Sequence, residues 1–222
     1  MDNTLSSNKS TRLYVILAIA VVVTLLRIYC GIQWAGQLGW KAPAAGAGGF
    51  GCTATRFAVP AGKEQELGKG LGGLCDWTQR EADQPVIGLY GDFVKNIVIP
   101  NFDLFAWVTI ITESFISISL IFGFLTRLGG ALGTLWGLSL VIGLSNVTIN
   151  TNGDKEGFTG FLIFIIPALL VAIIAPRFQY GLDNLLAPFY GKLASKPGWV
   201  GMAVRLITGV RPNETRLGSI LP

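Results

Sequence analysis

Residues 101–134 read NFDLFAWVTIITESFISISLIFGFLTRLGGALGT. From Asp103 to Phe124 the run is apolar and matches the roughly 20 residues that a helix needs to cross a bilayer, and Glu113 stands in its middle. A carboxylate at that depth costs roughly 2.5–3.5 kcal/mol on insertion scales, so it must face protein or water rather than lipid. Thr109, Thr112 and Ser117 share its helix face by spacing, and hydroxyls within a turn of a carboxylate can lower the cost by donating hydrogen bonds. Just past the span, Gly123-Phe124-Leu125-Thr126-Arg127-Leu128 turns straight into a second apolar run, Leu128 to about Leu144.

Composition agrees with a membrane protein. Of 222 residues 51% are hydrophobic and 14% charged, whereas soluble domains carry about 25% charged residues. The net charge of +4 is explained by basic residues at a cytoplasmic face, which removes the reason to invoke nucleic acid. The chain has no histidine. His-ligated haem, zinc or copper and a histidine general base are thereby excluded within it, and three cysteines with two methionines give little for an iron–sulfur cluster. A redox cofactor would come from a partner, or be a diffusible quinone.

Working outward, residues 1–12 are polar and carry Lys9 and Arg12 ahead of an apolar run from Leu13 to about Trp40. The run is too long for a signal peptide and is interrupted by Arg27, so an uncleaved anchor is expected. Arg27, Gly31 and Trp34 fall at i, i+4 and i+7, on one helix face. Arg27 either snorkels to the interface beside the belt residues Trp34 and Trp40 or pairs with Glu113 or an anionic ligand. Its position fourteen residues before Lys41 favours pairing. Glu113 itself is read in two ways, as a functional group and as a structural clamp to Arg27.

Residues 41–101 form a polar, glycine-rich loop, in which KEQELGKGLGGL and TQREADQPVIGLYGDFVKNIVIP suggest short surface helices. Cys52 and Cys75 lie in this loop. Outside the cytoplasm two such thiols are expected to pair, closing a ring worth roughly 3 kcal/mol in the chain-entropy model; unpaired small hydrophobes are the alternative. Cys30 falls inside the first span. Gly129, Gly133 and Gly137 in the third span are spaced by four, the small-xxx-small pattern that lets another helix approach closely. A fourth span runs from about Phe158 to Ala175, kinked at Pro167. The tail, 176–222, has six Lys/Arg against two acidic residues, and its LDNLLAPFYGKL and WVGMAVRLITGV segments read as amphipathic pieces lying at the interface. With Lys9, Arg12 and Arg127, this puts both termini in the cytoplasm and loop 41–101 outside. The expected architecture is an all-α, four-helix membrane bundle over residues 13–175, flanked by a short N-terminus and a basic interfacial tail.

The four helices, the helix-two acid Glu113 and the link residues Gly123, Leu125, Thr126, Arg127 and Leu128 resemble the DoxX/DoxD family of membrane proteins. Arg27, Gly31, Trp34 and the Trp40-Lys41 exit resemble the DoxD pattern in helix one, and the long loop favours DoxD over the shorter DoxX proteins. SNVTINTNGDKEGF, between helices three and four, departs from the glycine/tryptophan-rich segment of that family. The resemblance implies a prokaryotic plasma-membrane subunit of a thiosulfate:quinone oxidoreductase, working with a DoxA-like partner. Glu113 and Arg27 would then be catalytic, Glu113 handling protons, while Trp34, Lys41 and Arg127 would meet quinone or substrate. A non-catalytic subunit of a larger respiratory or photosynthetic membrane complex, packed through its glycines and locked by Arg27–Glu113, is the alternative.

Overall fold

The computed structural model describes residues 3–39, 41, 74–148, 153–174 and 180–212. Helix α1 spans Asn3–Gly36 and α2 Leu74–Asp83. A continuous helical stretch follows: α3, Gly88–Phe93; a π turn, Val94–Val98; a 3-10 turn, Ile99–Asn101; and α4, Phe102–Phe122. Then come α5, Thr126–Leu144, and α6, Gly157–Ile174 with Pro167 inside it. Two shorter helices close the described chain, α7, Leu182–Ala194, and α8, Trp199–Thr208.

Four stretches, Tyr14–Gly36, Gly88–Phe122, Thr126–Leu144 and Gly157–Ile174, are long and apolar enough to cross a membrane. Only 28–33% of each most apolar window is buried, so their apolar side chains stand outward, as they must where lipid replaces water. The second stretch is a correction to the sequence reading. It begins at Gly88, not Asp103, because the helix runs through Pro100 instead of starting after it. Proline has no N–H for the carbonyl four residues back and its ring crowds that carbonyl; a wide π turn followed by a tight 3-10 turn absorbs both problems. Part of the supposed loop is therefore spanning helix.

The chain packs as two units. The first comprises Met1–Gln33, Phe115–Thr134 and Ile166–Pro222; the second comprises Trp34–Ser114 and Leu135–Ile165. In the first, glycines let backbones meet. A Cβ on Gly31 would lie 2.8 Å from Ile121, one on Gly129 would overlap the Ser119 hydroxyl, and one on Gly130 would lie 2.7 Å from the Ala168 carbonyl. In the second, Leu144, Val147, Phe161 and Ile165 form one apolar cluster and Cys75, Phe102 and Ala106 another. Gly137 meets Ile165 in the same unit, at 2.7 Å for an added Cβ, and Gly133 is buried. Cys75 is thus a core residue. Cys52 lies outside the described residues, as do Trp40 and most of KEQELGKGLGGL.

Candidate functional site

In the second unit the end of α1 unwinds through a turn in which the Lys41 N–H donates to the Leu38 carbonyl at 3.2 Å. This turn delivers the Lys41 ammonium to Glu113 of α4, with which it forms a hydrogen-bonded ion pair. Both are withdrawn from solvent, Lys41 5% and Glu113 0% exposed. The indole N–H of Trp136, from α5, donates to the same carboxylate oxygen, Oε1, at 3.1 Å. The other oxygen, Oε2, is buried and has no hydrogen-bond partner among the described residues. A buried acceptor left so costs about 1–3 kcal/mol or more when charged, which asks for a ligand, a water or a proton there.

A second carboxylate joins the cluster. Glu81 of α2 is hydrogen-bonded to the Tyr90 side chain of α3 and lies within electrostatic reach of Lys41. Burial pushes its carboxyl up to about 7, against the opposing pull of Lys41 and of the Tyr90 hydrogen bond. Burial likewise pushes the Lys41 ammonium down, opposed by Glu113 and then Glu81. Gly143 of α5 makes room for this pair: a Cβ there would stand 3.0 Å from both the Glu81 side chain and the Tyr90 ring. α2 and α3 are held to their surroundings by the Val86 N–H, which donates to the Ile142 carbonyl at 2.9 Å, and by Gln84, which accepts from the Thr148 N–H at 2.9 Å.

Lys41, Glu81, Tyr90, Glu113 and Trp136 all line one cavity of about 440 Å³. That volume falls within the range of small-molecule sites. Phe102, Phe105, Leu140, Leu144, Phe161 and Phe164 are among its apolar walls. Glu81 keeps partial accessibility because it faces this space. Phe93 and Val108 line the cavity and are also 43% and 42% exposed, so the wall between cavity and outer surface is a single layer of side chains there.

In the first unit a different polar cluster forms. Gly123 and Leu125 take positive φ, 69° and 48°, which reverses the chain between α4 and α5 within the GFLTRL link. Asp183 of α7 secures this reversal: Oδ1 accepts the Leu125 N–H at 2.8 Å and Oδ2 the Thr126 N–H at 2.9 Å. Its own N–H donates to the Gly123 carbonyl at 2.7 Å. The Arg27 guanidinium donates to the Tyr180 carbonyl at 3.0 Å, and Asp183 is its carboxylate neighbour. It packs so closely on Gly123 and Gly181 that a Cβ on either would overlap it.

These two clusters correct the expected Arg27–Glu113 pair. Glu113 takes Lys41, and Arg27 stands with Asp183; helix spacing placed each residue on a face but left the choice of partner to the fold. Two of the three hydroxyls expected around Glu113 are engaged elsewhere, Thr109 donating to the Phe105 carbonyl at 2.9 Å and Ser117 to the Gly31 carbonyl at 3.1 Å. Trp34 is fully buried and packs on the cavity residue Phe164, ring centroids 5.1 Å apart. Arg127 is half-buried in the first unit. Glu81, Tyr90, Trp136 and Asp183 escaped the sequence reading. The signals were the amphipathic α2, with Glu81 in it, and a tryptophan in the middle of a spanning run.

The architecture and the cavity define a multi-pass helical membrane protein with a ligand-sized internal site. Residues 86–147, 62 of the 222 residues, match the family model described as DoxX. The match contains α3, α4, α5 and three of the five cluster residues, Tyr90, Glu113 and Trp136, while Lys41 and Glu81 lie before it. No curated protein and no solved structure matches the chain.

Proposed function

We propose that the cavity of the second unit binds a membrane quinone and that the protein is the quinone-facing subunit of a thiosulfate-oxidising complex. One observation carries the reading: Glu113, whose buried Oε2 has no hydrogen-bond partner among the described residues, lines a cavity otherwise largely apolar and aromatic. Such a site suits an apolar molecule with a few polar atoms at one end. A structural ion pair needs neither the cavity nor the unused oxygen.

Charge supports a neutral substrate there. Lys41 faces Glu113 and Glu81, and Glu156 also lines the cavity, so a dianion such as thiosulfate would meet more acids than bases. Among the described residues the other buried cation, Arg27, is taken up by Tyr180 and Asp183. A neutral quinone fits, and thiosulfate is expected to react elsewhere, on a DoxA-like partner. Overall, two thiosulfates lose one electron each and couple through a new S–S bond to tetrathionate, while the quinone gains those two electrons and two protons. Lys41, whose ammonium has three N–H groups, can donate to a quinone carbonyl, and Glu81 and Glu113 can pass protons to its oxygens as charge develops there. Phe93 and Val108 mark where a lipid-borne molecule would enter. The same proposal places both termini in the cytoplasm by the positive-inside rule, and puts the Cys52–Cys75 bridge outside.

The Lys41–Glu113 pair favours a second reading, a non-catalytic subunit in which the pair is a lock. The experiment is thiosulfate-dependent quinone reduction by the purified complex, wild type against Glu113→Gln. The quinone reading expects turnover in wild type, lost by about a hundredfold or more in a variant that still inserts and folds. Absence of turnover and of quinone binding with the partners present would leave the lock.

A further inference from the structure

α7 and α8 form the other feature that asks for a partner. On α7, Asp183, Ala187, Tyr190, Gly191 and Ala194 are buried, and the opposite face presents Leu182, Leu185 and Phe189, 42%, 77% and 57% exposed. α8 repeats the pattern with Trp199, Met202 and Leu206, 76%, 63% and 69% exposed. In both helices the apolar residues recur at i, i+3 and i+7, one stripe. The exposed charges of residues 180–212 are all positive: Lys192, Lys196, Arg205 and Arg211. The acid of this segment, Asp183, is buried.

We infer that the α7–α8 hairpin is a membrane-interface foot, its apolar stripe immersed at the headgroup boundary of an anionic leaflet. Three observations choose lipid over a protein partner. Ten to thirteen residues are too few to span, but a spanning helix, α6, ends at Ile174, only eight residues before Leu182. Asp183 bonds the start of α7 directly to the three-residue reversal between α4 and α5. A reversal that short between two spans lies at a membrane face, so the hairpin is held at that face within the same unit. Finally, an apolar stripe edged only by cations complements an anionic lipid surface, and tryptophan at a boundary is where its ring is most favoured.

The test uses the full-length protein in phosphatidylglycerol-containing vesicles, with an environment-sensitive fluorophore on Met202→Cys or Leu185→Cys and the unsubstituted protein subtracted as background. Doxyl-labelled lipid should quench the label several-fold more than aqueous iodide does, and replacing the anionic lipid by phosphatidylcholine should lessen that preference. Quenching by iodide would mean a water-facing hairpin, and quenching by neither would mean a protein covering it; each overturns the proposal. The measurement does not depend on what occupies the cavity.

Discussion

Two buried carboxylates, Asp183 in one unit and Glu113 in the other, are 3% and 0% exposed and do different things. Both oxygens of Asp183 accept backbone N–H groups of the α4–α5 reversal, so its hydrogen-bonding capacity is directed at holding a turn. Glu113, which lines the cavity, concentrates two donors, Lys41 and Trp136, on one oxygen and leaves the other without a hydrogen-bond partner among the described residues. Burial alone does not separate a structural acid from a functional one. What its oxygens meet does.

Exchanging each acid for its amide is the sharpest way to break the comparison. Glu113→Gln should lose quinone turnover by about a hundredfold or more per folded molecule, beside a stability cost from leaving the buried Lys41 ammonium without its carboxylate. Lys41→Met alone should be severe for the fold, about 3–5 kcal/mol, because it leaves a buried carboxylate without its cation; adding Glu113→Gln should recover much of that loss. Recovery of stability without recovery of turnover would keep both halves of the argument. Asp183→Asn should cost about 1–3 kcal/mol, since one backbone N–H then faces an amide that donates instead of accepting. Turnover per folded molecule should be unchanged; a variant that folds normally but turns over poorly would erase the distinction.

Glu81 sharpens the functional side. Its carboxyl lies at about 7 in the fold against an ordinary 4.5, so the folded state holds its proton longer than the unfolded chain does. The stability this gives is complete below pH 4.5, declines as pH rises towards 7, and is gone above it. A melting series across that window should therefore slope downward in wild type and flatten in Glu81→Gln. The smallest expected effect is Gly143→Ala. The added methyl stands 3.0 Å from Glu81 and Tyr90, an overpacking cost of about 1 kcal/mol that a similar gain in helix propensity offsets. Melting should barely move, and the pH dependence tied to Glu81 should shift.

The membrane class, the four spans, the GFLTRL reversal and Glu113 as an acid out of place were legible in residues 101–134 and their flanks, because a bilayer imposes length and apolarity on any span. Lys41 was visible as a cation at a helix exit. Its partner was not: the spacing of Arg27 fixes its face on α1, but pairing depends on where α4 and α7 come to lie. Glu81 looks like one more charge in a polar loop, and Trp136 like packing in an apolar run. The start of the second span at Gly88 was hidden by Pro100, which usually ends a helix and here is carried through by a π turn. Solvent preference acts residue by residue, so sequence alone determined what crosses the membrane and which charge could not face it. Which cation neutralises that charge, and that a cavity remains beside it, depended on contacts between distant segments, and these only the tertiary structure decided.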